Sequence, residues 1–103
     1  MEKIEKLKSF LVNSPGDSFL NHALALEYVK LGDEAQARKL FLEILERDPS
    51  YIGSYYHLAR LLERTGETEN AKNWYEKGLN AARQAGDIHA YNELRAAYED
   101  FID

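Results

Sequence analysis

Cysteine is absent from this 103-residue chain, which excludes disulfides, thiol nucleophiles, iron–sulfur clusters and thiolate zinc sites and agrees with a reducing compartment. Proline occurs only twice, at Pro15 and Pro49, and glycine six times, so few residues break the backbone pattern. Long apolar runs are missing too. Stretches without charge, such as Ser9–Gly16, are short and hold Asn and Pro, and none approaches the roughly 20 apolar residues of a membrane span. The opening MEKIEKLK is laced with charge where a secretory signal needs an apolar core, so the expected location is the cytoplasm. Positive charge is also scarce. Thirteen Lys and Arg stand against 18 Asp and Glu, a net charge of -5, which disfavours long-range attraction to nucleic acid or anionic lipid. Residues 86–103 are the most one-sided segment, with one cation and five acids.

What the chain does have is 45% hydrophobic and 30% charged residues, enough apolar surface for one core in one domain spanning 1–103. Between the few breakers lie runs of 12 to 18 residues with apolar side chains three or four apart, the helical period. Six helices are predicted. The first covers Glu2 to Asn13, with Ile4, Leu7, Phe10 and Leu11 on one face, and stops at Pro15-Gly16. The second is capped by Asp17 or Ser18, carries Leu20, Leu24, Tyr28 and Leu31, and closes at Gly32. Asp33 caps the third, with Gln36 completing the capping pattern and Ala37, Leu40, Phe41, Ile44 and Leu45 inward. The fourth spans about Ser50 to Thr65, with Tyr55, Leu58, Ala59 and Leu62 inward. The fifth runs from Thr68 through Ala85, burying Ala71, Trp74, Tyr75, Gly78 and Leu79. Asp87 caps the sixth, which carries Tyr91, Leu94, Tyr98 and Phe101.

Shifting the sequence by 34 residues aligns Leu24 with Leu58, Ala25 with Ala59, Gly32 with Gly66, Ala37 with Ala71 and Leu45 with Leu79. Phe41 also meets Tyr75. The first unit reads Asn21-x2-Leu24-Ala25-x2-Tyr28, then Ala37-x3-Phe41, then Pro49; the second reads Tyr55-x2-Leu58-Ala59-x2-Leu62, then Ala71-x3-Tyr75. A 34-residue period of paired helices with these positions resembles the tetratricopeptide repeat family. The resemblance implies an all-α fold, a right-handed superhelical array of antiparallel helix pairs. It divides the chain into a capping helix over 1–15, repeats over 18–51 and 52–85, and a final helix over 87–102. Three positions depart from the pattern: Asn21 stands for the large aromatic, alanine for the small glycine in both units, and Arg83 for a second terminal proline, which lets the fifth helix run on.

In such arrays the first helix of each unit lines a concave wall, here helices two, four and six. Beside the buried stripe of helix two, at four-residue spacing, come His22, Leu26 and Lys30. The 34-residue shift gives Tyr56, Arg60 and Arg64, with Glu63 alongside. One aromatic, one aliphatic and three cations on the predicted wall of an acidic protein mark these seven residues as the candidate groove. The expected ligand is a peptide segment of a partner protein, acidic or carboxylate-terminated. Some family members clamp a C-terminal carboxylate with Lys and Asn; the matching positions here hold His22 and Leu26, so that clamp is not carried over. The alternative is a structural subunit that self-associates through an end helix, a monomer or weak homodimer in solution.

Other chemistry finds no foothold. His22, His57 and His89 are 35 and 32 residues apart rather than 34, and one residue of offset turns a helical side chain by about 100°, so a metal site is not expected. No glycine-rich phosphate loop or nucleophile–base spacing is present, so neither enzyme activity nor a cofactor is expected. The aromatics Tyr55, Trp74, Tyr75, Tyr91 and Tyr98 fall on core stripes rather than on a base-stacking face.

Overall fold

A computed structural model describes residues 2–103 as six helices: α1 Glu2–Asn13, α2 Ser18–Leu31, α3 Glu34–Arg47, α4 Ile52–Arg64, α5 Thr68–Ala85 and α6 Ile88–Ile102. No strand occurs among the described residues. The helices fall into two compact units, α1–α3 up to Asp48 and α4–α6 from Pro49.

Local sequence sets the helix ends. Asp17, Asp33 and Asp87 each precede a helix, and their carboxylates accept the backbone N–H of Leu20 at 2.9 Å, Gln36 at 3.2 Å and Ala90 at 3.0 Å. Each such cap satisfies an otherwise orphaned donor and contributes about 1 kcal/mol. At the far end of α5, Gly86 takes φ 70°, left-handed backbone that a side chain would strain. Its N–H and that of Asp87 return to the carbonyls of Arg83 and Ala82, closing the helix.

In the first unit α2 packs on α3, and α1 on α2. Leu24, Ala25, Tyr28, Ala37, Phe41, Ile44 and Leu45 are buried, together with Ile4 of α1. Two residues expected in these stripes lie outside the core: Phe10 is 50% exposed and Leu31 54%. Within its unit α1 has α2 as its main neighbour, which covers one side of the helix, and Leu31 is the last residue of α2, with no further turn to shelter it. In the second unit α4 packs on both α5 and α6, and α5 on α6. Ser54 and Leu61 of α4 are buried besides the expected Tyr55, Leu58, Ala59 and Leu62. Tyr75, Ala59, Ala82 and Leu94 form the centre, with Trp74, Leu79, Tyr91, Tyr98 and Phe101 packed around it.

Asn21, the departure noted above, is buried because it does a specific job. Its Nδ2 donates to the carbonyls of Pro15 at 3.0 Å and Asp17 at 2.9 Å. Thirty-four residues on, the Tyr55 hydroxyl donates to the Pro49 carbonyl at 2.6 Å. Both side chains tie their helix to the proline of the preceding turn and satisfy a carbonyl that has no ladder partner. The amide and the phenol are two solutions to one problem.

Candidate functional site

The first unit carries three of the candidate residues on α2. His22 is half-buried with its ring 5.7 Å from Phe41, so it packs onto α3 as well as facing outward. Leu26 is half-buried. Lys30 is exposed, but its Nζ lies 3.2 Å from Glu27 Oε2, an ion pair along its own helix that leaves little uncompensated charge. Glu27 was not singled out in the sequence; its spacing of three residues from Lys30 is the signal that identifies it.

The second unit carries the other four on α4. Tyr56 is half-buried, packs against the core cluster, and meets His57 edge-on at 5.2 Å. Arg60 and Arg64 are exposed and Glu63 is half-buried. Glu63 accepts a hydrogen bond from the hydroxyl of Tyr75 on α5. Burial and this bond push the Tyr75 hydroxyl well above the ordinary tyrosine range. Arg60 joins the same group: burial works against its charge, but Tyr56, Glu63 and a hydrogen bond with Tyr75 outweigh it. Glu63 is thus turned toward the interior, and Arg60, beside it, and Arg64 are the exposed cations of the strip.

The Tyr75 hydroxyl is the functional group that sequence reasoning passed over, because the residue was read as core. A signal was present. At the positions of Arg60, Glu63 and Tyr75 the first unit has Leu26, Val29 and Phe41. Three polar groups appear together in one repeat and are absent together in the other, as expected if they form one network.

His57, one residue from Tyr56, is also half-buried. Burial lowers its pKa below the usual 6.5, the charge of Arg64 adds to that, and Glu93 on α6 opposes it. Neutral His57 is therefore favoured in the fold. Between the folded value and 6.5 the unfolded chain binds a proton that the folded chain does not, so His57 stabilises fully above pH 6.5 and that contribution is lost as pH falls. Urea unfolding of wild type and a His57→Gln variant at pH 7.5 and pH 5.5 checks this: wild type should lose more stability on acidification. Equal losses would show that His57 is not held neutral.

Among the described residues no three His, Asp or Glu side chains are placed to hold a metal ion, and no helix is long and apolar enough to cross a membrane.

The profile of the tetratricopeptide repeat family matches residues 28–98. A TPR repeat-containing protein of Pseudomonas aeruginosa is 28% identical over 91 residues, covering 88% of this chain and 87% of that protein. The solution structure of a tetratricopeptide repeat domain protein from Salinibacter ruber is 39% identical, covers 85% of this chain and 89% of its own, and superposes with a TM-score of 0.81. The TPR2B domain of yeast Sti1, in a complex with pHsp70, shares the fold at a TM-score of 0.87 with 15% identity, over 95% of this chain and 78% of that one.

Proposed function

The chain belongs to the tetratricopeptide repeat family, and from that premise we propose that it is a protein-interaction module that binds a peptide segment of a partner on the α4 face of its second unit. The observation that carries this reading is the strip Tyr56, Arg60 and Arg64, in which a half-buried aromatic lies beside two outward guanidinium groups. Arg60 and Arg64 outnumber Glu63, which is turned toward Tyr75, so the strip meets a ligand with net positive charge in a protein of net charge -5. An acidic or carboxylate-terminated segment fits that sign, and arginine can pair with a carboxylate in a two-pronged geometry. Tyrosine and arginine are also residue types that dominate binding energy where they anchor an interface. His22, Leu26 and Lys30 on α2 are proposed as a separate contact of the first unit, a weaker one because Lys30 is already paired. That the Sti1 domain of the same fold is seen in a complex with pHsp70 supports a protein or peptide ligand. The role is binding rather than catalysis, since the strip offers no nucleophile with a companion base.

Affinity capture from a lysate of the source cell tests the proposal, with wild type against a Tyr56→Ala, Arg60→Glu, Arg64→Glu variant that keeps its helical circular dichroism. A partner retained by wild type should be lost from the variant, with affinity reduced at least about tenfold. Capture of the same partner by both would remove the α4 strip from the reading.

A further inference from the structure

A second site is built where the chain breaks its own repeat. Asn21 and Tyr55 each bond the carbonyl of the residue six earlier, Pro15 and Pro49. Tyr91, followed by Leu94 and Tyr98 at the spacings of Tyr55, Leu58 and Leu62, opens a third occurrence of that pattern two residues late, and no proline lies in the turn before it. Arg83 stands 34 residues after Pro49, and α5 runs for 18 residues where α3 runs for 14. The residue six before Tyr91 is Ala85, still within α5. The Tyr91 hydroxyl instead accepts from Arg83 Nη2 at 3.4 Å, and the guanidinium lies 5.5 Å from the centre of the Tyr91 ring.

This rearrangement opens a cleft of about 270 Å3 lined by Ala82, Arg83, Gly86, Asp87, Ile88 and Tyr91. Its walls are mostly apolar: the Tyr91 ring, the Ala82 methyl and Ile88, a large apolar side chain that is 73% exposed at the first position of α6. Two charges stand at the rim. Asp87 is committed, because its Oδ1 accepts the Ala90 N–H at 3.0 Å at a helix N-terminus, where the helix dipole compensates negative charge. Arg83 bonds Tyr91 and forms no ion pair with a carboxylate among the described residues. The volume is below the roughly 300–1,000 Å3 of sites for drug-sized molecules and suits one large side chain.

We propose that this cleft is a docking site, separate from the α4 strip, for a partner peptide that inserts one apolar side chain with a carboxylate on the adjacent residue. The apolar group covers Ile88 and the Tyr91 ring, and the carboxylate takes the outward N–H groups of Arg83. The guanidinium is already held beside the ring by its bond to the Tyr91 hydroxyl, so less freedom is lost when it binds.

Nuclear magnetic resonance titration of the full 15N-labelled chain tests this with three blocked tetrapeptides, Ac-Gly-Leu-Asp-Gly-NH2, its Leu-Asn analogue and its Ala-Asp analogue. The Leu-Asp peptide should shift the Gly86, Asp87 and Ile88 amides saturably at millimolar concentration. Each analogue should bind about fivefold more weakly, the scale of one exposed charge contact or of about one methylene's worth of buried apolar area. An Arg83→Gln variant with an unchanged melting temperature should bind the Leu-Asp and Leu-Asn peptides equally. Equal binding of those two peptides by wild type, shifts confined to α4, or no shift at all would overturn the proposal. So would concentration-dependent shifts of the same amides without peptide, which would make a second copy the occupant.

Discussion

Truncating Tyr75 to alanine should destabilise the second unit by on the order of 4 kcal/mol, a drop of roughly 15–30 °C in melting temperature for a domain of this size. Tyr75 is fully buried and its ring lies 5.7 Å from Tyr98 and 5.6 Å from Phe101, so its removal leaves a cavity where α4, α5 and α6 meet. Tyr75→Phe is the informative companion. Phe41 fills the equivalent position of the first unit and is likewise fully buried, which shows that a ring without a hydroxyl fits this environment. The phenylalanine variant should lose only the bond to Glu63 and its link to Arg60, about 1 kcal/mol. It should also change the alkaline limb of stability. A tyrosine whose folded pKa is raised stabilises fully below the unfolded value of about 10 and progressively less as pH climbs through the folded value. Wild type should therefore lose stability above about pH 10 more steeply than Tyr75→Phe. Thermal and urea unfolding followed by circular dichroism decide both points. An alanine variant as stable as the phenylalanine variant would mean that the ring contributes nothing.

Replacing Gly78 by alanine should destabilise the protein by about 2 kcal/mol, although alanine is the better helix former by about 1 kcal/mol. A Cβ at Gly78 would lie 2.7 Å from the Tyr55 Cβ, 3.2 Å from its Cγ and 3.3 Å from Leu94 Cδ1. The Tyr55 Cβ is fixed to the α4 backbone and cannot swing aside, so α4 and α5 must separate. The two repeats explain why the glycine is there. At the corresponding positions the first unit has Asn21 and Ile44, the second Tyr55 and Gly78: a small side chain with a large one, then a large side chain with none. Gly78→Ile alone should therefore cost more than Gly78→Ala. Combining it with Tyr55→Asn should recover at least about 1 kcal/mol, the coupling expected of residues in direct contact. Additive losses in that cycle would show that the two positions do not share space.

Much of this architecture is legible without coordinates. Helix ends expected from Asp caps, glycines and prolines match those observed within two residues, as for α4, expected from about Ser50 to Thr65 and found over Ile52–Arg64. The candidate strip was legible as a row of positions, because spacing along one helix is local. Its electrostatics were not. Lys30 is paired along α2, and Glu63 and Arg60 both meet the Tyr75 hydroxyl on α5. Phe10 and Leu31 fit an apolar stripe by spacing but are exposed, since spacing says which face a residue is on and not how far its neighbour extends.

By itself the sequence determined the six helices, their caps and the 34-residue repeat, because each follows from interactions within a few residues along the chain. Only the tertiary structure decided which polar groups are committed and where space is left. The Tyr75 hydroxyl meets Glu63 across 12 residues of sequence, Tyr98 meets Glu76 across 22 and Ser18 meets Asp48 across 30. A Cβ at Gly78 is excluded by Tyr55 on another helix. Side chains so distant in sequence interact only after helices are packed at fixed distances, and a small change in that packing decides whether a charge is spent inside its unit or offered to a partner.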